Sequence, residues 1–174
     1  TTFEQFDAVH KKESKKVLPT ISDDLKKGAL KATLFAMIAI SLYIFIRFRD
    51  WRFSLGTIFA LIHDTLVTLI VFSFARNWVP FPLEIDQHFI AAILTVIGFS
   101  MNDTVIVYDR IREVGRLYPT MPKAALINRA INETLARTII TSVTVFLTIL
   151  ILFIFGGEVT RGFAFAMLIG VVTG

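Results

Sequence analysis

Apolar residues fall along this chain in four long blocks and one shorter one, each bounded by clusters of charge. The blocks are 28–46, 53–75, 87–108, 135–155 and 163–174. At 1.5 Å of rise per helical residue, the first four measure about 28 to 34 Å, which matches a hydrocarbon core of about 30 Å. The fifth covers only about 18 Å and reads as a span cut short, so the native chain is expected to continue. The pattern predicts an all-α polytopic membrane protein, a bundle of five transmembrane helices occupying 28–174 with the last one truncated.

The segments between the blocks add detail. Residues 1–27 are polar, with a turn expected at Leu18-Pro19-Thr20 and a helix N-cap at Ser22, ahead of Asp23 and Asp24. They read as the tail of an exported domain and a lead-in to the membrane. Gly28, Ala32 and Ala36 recur every four positions and predict a close-packing face on the first span. Arg47, Arg49 and Arg52 mark a very short loop, so the first two spans should form a hairpin. Residues 76–86 hold Trp78, Pro80 and Pro82, an interfacial aromatic beside a helix-breaking turn. In the longest loop, 109–134, residues 123–133 are expected to form a short helix lying at the interface. Arg137, Thr141, Thr144 and Thr148 share one helical face, expected to point into the bundle.

Composition narrows the chemistry. Cysteine is absent, which removes disulfides and thiolate metal sites from consideration. The net charge of +4 comes from basic residues that flank apolar blocks, as membrane anchors do, with no basic and aromatic stripe suited to nucleic acid. Thr1 to Phe6 lack the basic-then-apolar order of a signal peptide, and the absence of an initiator Met fits a piece of a longer chain. Loops 47–52 and 109–134 together hold eight Lys and Arg, against two in 76–86 and 156–162, which assigns the first pair to the cytoplasm. The six lysines of 1–27 would then lie outside; they are discounted because long exported segments cross largely regardless of charge.

Asp64 stands near the middle of the second block, where a carboxylate costs about 2.5 to 3.5 kcal/mol on insertion scales. Two readings follow: a buried acid paired with a neighbouring helix for packing specificity, or a proton carrier. Burial favours the neutral form of a carboxyl, which suits such a group to taking up and releasing protons. His63 adjoins Asp64 but should point about 100° away, as a satisfied polar residue that need not touch it. Asn102 and Asp103 lie about 8 Å inside the third span, within reach of water, and serve either interhelical hydrogen bonding or a proton path. Asp109 with Arg112 and Glu113 with Arg116 stand at i,i+3, the spacing of a solvated charge ladder. Arg137 reads as an anchor that snorkels to the interface. No H-E-x-x-H, phosphate-cradling Gly loop or nucleophile elbow occurs, and His63, Asp64 and His88 are too far apart in depth to share a metal. The chain is expected to be non-enzymatic and without a metal or cofactor.

The run Gly98-Phe99-Ser100-Met101-Asn102-Asp103-Thr104-Val105-Ile106-Val107-Tyr108-Asp109-Arg110-Ile111-Arg112-Glu113 closely resembles the signature in the SecF half of the SecD/SecF protein-export membrane proteins. Ala60-Leu61-Ile62-His63-Asp64, Ala136-Arg137-Thr138-Ile139-Ile140-Thr141-Ser142 and Phe155-Gly156-Gly157 resemble the same family, in family order. The resemblance covers about residue 19 to the end. It implies half of a transmembrane domain like that of the resistance-nodulation-division (RND) exporters, in the bacterial cytoplasmic (inner) membrane. It further implies an accessory subunit of the Sec translocon that uses the proton-motive force to promote polypeptide export. Implied partners are the SecD half, fused or separate, the SecYEG translocon, unfolded exported polypeptides and the lipid bilayer. Asp64 matches the family's intramembrane His-Asp motif, so a proton-relay role is implied for it, with Arg110 as the candidate basic partner and Asp103 and Asn102 along the path. Family members have six spans and a large exported periplasmic domain after the first; this chain lacks that first span and most of that domain. A purely structural assembly module and an RND-type small-molecule exporter remain as rival readings.

Overall fold

The computed structural model describes residues 3–81 and 83–174, with side chains described at 24, 27–81, 83–157 and 160–174. Five α-helices follow one another: α1 (Phe3–Phe48), α2 (Trp51–Ala75), α3 (Gln87–Leu117), α4 (Lys123–Phe155) and α5 (Glu158–Thr173). No strand occurs among the described residues, and four helices carry stretches long and apolar enough to cross a membrane, the first of them Lys27–Phe48. The architecture is the all-α membrane bundle that the hydropathy blocks predict.

Helix α1 runs unbroken through residue 19, so the turn expected at Leu18-Pro19-Thr20 and the cap expected at Ser22 do not form. A proline inside a helix removes one backbone donor, and in a polar segment the freed carbonyl can turn to water. The α1–α2 hairpin is as expected but tighter. Arg49 takes a left-handed φ of 54°, and Asp50, in extended backbone, accepts from the Arg52 N–H at 3.0 Å and so starts α2 at Trp51. Asp86 caps α3 in the same way, accepting from the Phe89 N–H at 2.8 Å.

Besides the 46-residue α1, helices α3 and α4 outrun the membrane. Helix α3 has 31 residues and α4 has 33, about 46 and 50 Å, so each stands well beyond a hydrocarbon core. The separate interfacial helix expected at 123–133 is instead the first three turns of α4, because nothing between Lys123 and Phe155 is Gly or Pro. The protruding end of α3 and the beginning of α4 pack on each other through buried Val114, Ala130 and Thr134.

Helix α3 is the hub and touches all four others. The main core joins Leu61 and Phe72 of α2, Phe89, Ala92, Ile93, Val96 and Ile97 of α3, and Ala166 and Met167 of α5. A smaller cluster of Ile44, Phe48 and Met101, with the rings of Phe53 and Tyr108, closes the end where α1 stops and α2 begins. The tight backbone approach falls at Gly170 of α5, where any Cβ would collide with the Val96 side chain. It does not fall on the face expected from Gly28, Ala32 and Ala36. Gly28 has nothing within 4 Å of where a Cβ would stand, and α1 docks further along through Ile40, Ser41, Ile44 and Phe48.

The hydroxyl stripe of α4 also differs from expectation. Thr144 and Thr148 are exposed and Thr141 is half-buried; their hydroxyls donate to carbonyls one turn back, Ile140, Thr144 and Arg137 respectively. A Thr satisfied by its own helix has no need of a neighbour, so the bulky apolar side chains set the rotation of α4. Its inward line starts one residue later, at Thr138, and continues through Ser142, Phe146, Ile149 and Phe153.

Candidate functional site

Asp64 lies on the inner face of α2, 4% exposed, between buried Leu61 and Thr68. Ser100, one helix away on α3 and also 4% exposed, donates its hydroxyl to Asp64 Oδ2 at 2.6 Å. The other carboxylate oxygen, Oδ1, lies 3.0 Å from His63 Nδ1. His63, expected to be a polar residue that need not touch Asp64, does touch it: the 100° between adjacent helical residues is bridged by the reach of the imidazole. The ring itself points outward, with its side chain 64% exposed, so it covers the acid from outside. Helix α5 closes the third side. At Gly174 a Cβ would stand 3.3 Å from Asp64 Oδ2 and 3.2 Å from Ser100 Cβ. Helices α2 and α3 and the residue that follows α5 thus meet at one carboxyl near the middle of α2.

Asp103 follows Ser100 by three residues, about 4.5 Å along α3 and on the same face. Its Oδ1 is buried without a hydrogen-bond partner. Across the α3–α4 seam, Arg137 is near enough for its charge to act on this carboxyl. The Arg137 side chain makes no ion pair or hydrogen bond among the described residues. It also lines a cavity of ≈ 350 Å³ with Asp109, Arg110, Glu113, Glu133 and Thr134. Next to it on α4, Thr138 Oγ1 is likewise buried and unpartnered. Thr138 and Gly174 line a second groove, of ≈ 380 Å³, between α4 and α5.

The structure sorts the remaining candidates. Asn102 is exposed and turned away from the Asp103 face, and Gly98 has open space around it. Arg110 sits ten residues, about 15 Å, beyond Ser100, and so is not the partner of Asp64. It is held instead by two acids, donating through Nε to Glu133 Oε2 and through an Nη to Glu113 Oε2, both at 2.6 Å. Arg129 donates to the other Glu133 oxygen at 2.8 Å and lies over the Tyr118 ring, 4.2 Å from its centre.

The ladder expected within α3 forms with other partners, one on a neighbouring helix and one within α3 itself. Asp109 takes Arg47 of α1 at 3.0 Å instead of Arg112, and Glu113 takes Arg110 instead of Arg116. An arginine from a neighbouring helix end reaches the carboxylate where sequence spacing alone counts only local partners. Ser100, Glu133 and Thr138 were missing from the sequence candidates. Ser100 at i−3 from Asp103, and Glu133 at i+4 from Arg129, carried the signal.

A helical membrane bundle whose acids are buried on facing helices, with arginines at the mouth, defines a polytopic membrane protein with a polar track in its core. All of residues 1–174 match the family described as protein export membrane protein SecD/SecF, C-terminal, and the chain belongs to that family. It is 55% identical over 156 residues to the protein translocase subunit SecF of Rhodothermus marinus, covering 90% of this chain and 50% of that one. To the subunit SecF of Cereibacter sphaeroides it is 46% identical over 156 residues, 90% of this chain and 46% of that one. To the subunit SecDF of Brucella abortus it is 39% identical over 154 residues, 88% of this chain and 19% of that one. The chain spans about half the length of the SecF relatives it matches.

Proposed function

We propose that this chain is the membrane part of an accessory, non-enzymatic subunit of the Sec protein translocase, and that it couples proton movement to polypeptide export across the bacterial cytoplasmic membrane. The observation that carries the reading is the line of polar groups through the bundle: Asp64 and Ser100 at mid-depth, Asp103 one turn on, and Arg137 at the cavity mouth. A bundle that needed acids only for packing would satisfy them, whereas Asp103 keeps a buried oxygen without a partner.

Protons enter or leave by the cavity that Arg137 lines. Burial favours the neutral form of Asp103 and the charge of Arg137 opposes it, so proton uptake by Asp103 removes an attraction across the α3–α4 seam and frees α4 to shift on α3. Ser100, donor to Asp64 and one turn from Asp103, can rotate its hydroxyl and pass a proton between them. An elementary charge crossing 100 mV releases about 2.3 kcal/mol, so a few protons suffice to move helices. The subunit works beside a SecD half and the translocon, on unfolded polypeptide emerging on the far side. The arginine-rich helix ends face the cytoplasm.

The test is export of a preprotein by vesicles carrying the full-length protein, with and without a protonophore. Asp103→Asn should insert and assemble normally yet lose the gradient-dependent part of export. Unchanged gradient dependence in that variant would favour a purely structural role in translocase assembly.

A further inference from the structure

The end of the bundle where α1 and α3 stop holds a recess that the polar track does not use. It has a volume of ≈ 410 Å³ and is lined by Arg47, Asp109, Arg112, Glu113, Arg116 and Leu117. Its two acids are already engaged: Asp109 by Arg47 at 3.0 Å and Glu113 by Arg110 at 2.6 Å. Two of its arginines are not. Arg112 makes one long contact, 3.4 Å, to the Arg47 carbonyl, and Arg116 has no ion-pair or hydrogen-bond partner among the described residues. At i and i+4 they share a face of α3 about 6 Å apart along its axis, so two guanidinium groups project side by side toward one space.

The depth of that space fixes what it can meet. The apolar stretch of α1 ends at Phe48, and exposed Trp51 opens α2 directly after the turn, which puts this level at the border between hydrocarbon and headgroups. Beside Arg47, α1 offers exposed Leu42, Phe45 and Ile46 along its length. Charge at the top and apolar surface leading down into the bilayer is the outline of an amphipathic anion. Guanidinium pairs grip phosphate oxygens through several charge-assisted hydrogen bonds, and basic pockets between membrane helices on the cytoplasmic side suit anionic headgroups.

We propose that this recess binds the phosphate of an anionic phospholipid, gripped by Arg112 and Arg116, with an acyl chain lying along α1. Such a lipid would wedge between the ends of α1 and α3, beside the Arg47–Asp109 bridge, and tie the hairpin to the hub helix. The site stands whether or not Asp64 and Asp103 move protons.

The test uses the full-length protein in nanodiscs of phosphatidylcholine with graded phosphatidylglycerol, followed by native mass spectrometry of the retained lipid. The unsubstituted protein should retain phosphatidylglycerol in preference to phosphatidylcholine. Arg112→Gln with Arg116→Gln should weaken that retention by about tenfold or more. Arg116→Gln alone, which removes no ion pair or hydrogen bond among the described residues, should weaken it severalfold and guards against a folding defect in the double variant. Arg52→Gln, an arginine of the same membrane face outside the recess, should leave it unchanged. Equal retention by the double variant, or an equal loss in Arg52→Gln, would overturn the site. Displacement of the lipid by excess inorganic phosphate would overturn the lipid assignment in favour of a soluble phosphate.

Discussion

The Ser100 hydroxyl reaches across from α3 to Asp64 on α2 and donates to its Oδ2 at 2.6 Å, with both residues 4% exposed. This single bond links the hub helix to the acid at mid-membrane. Replacing Ser100 by Ala leaves a buried carboxyl oxygen without its donor, a loss of about 1–3 kcal/mol. Ser100→Ala should therefore lower unfolding stability in mixed micelles by about that amount, whereas Ser100→Thr, which keeps the hydroxyl, should recover part of it.

Arginines 110 and 137 separate the two accounts of the basic partner. Arg110 is occupied by Glu113 and Glu133, while Arg137 acts on Asp103. Export assays with and without a protonophore should show Arg137→Gln losing gradient dependence and Arg110→Gln keeping most of it. The reverse order would return Arg110 to the relay.

Gly170 allows α5 to lie against α3 at Val96. Gly170→Val should force the helices apart and cost about 1–3 kcal/mol by overpacking. Adding Val96→Ala should restore much of the stability, a coupling that a double-mutant cycle measures directly.

Thr144 and Thr148 donate within α4 and face outward. Thr148→Val should change stability by no more than about 0.5 kcal/mol, as expected for an outward-facing position. A loss of several kcal/mol on thermal unfolding would mean that the stripe points inward after all.

The spans were legible because hydropathy acts over some twenty residues and tolerates local noise; the predicted start of the third and the ends of the second and fourth fall where the helices begin and stop, at Gln87, Ala75 and Phe155. Asp64 was legible for the same reason, as the one acid in an otherwise apolar block. What escaped was rotation and partnership. A spacing of four puts Thr144 and Thr148 on a common face but does not say which way it points, and bulky Phe146 and Phe153 one register over decided that. The i,i+3 rule likewise paired Asp109 with Arg112, whereas the hairpin brings Arg47 from sixty-two residues away. His63 was assigned away from Asp64 from Cβ directions alone, without the length of the ring.

The most direct measurement is the protonation of these acids themselves. Infrared difference spectra of the full-length protein in liposomes, recorded as pH is stepped, should show a carboxylic C=O band that changes in the unsubstituted protein. That band should lose distinct components in Asp64→Asn and in Asp103→Asn. A spectrum in which neither substitution removes any component would mean that these carboxyls hold one protonation state throughout, and would contradict proton coupling through this track.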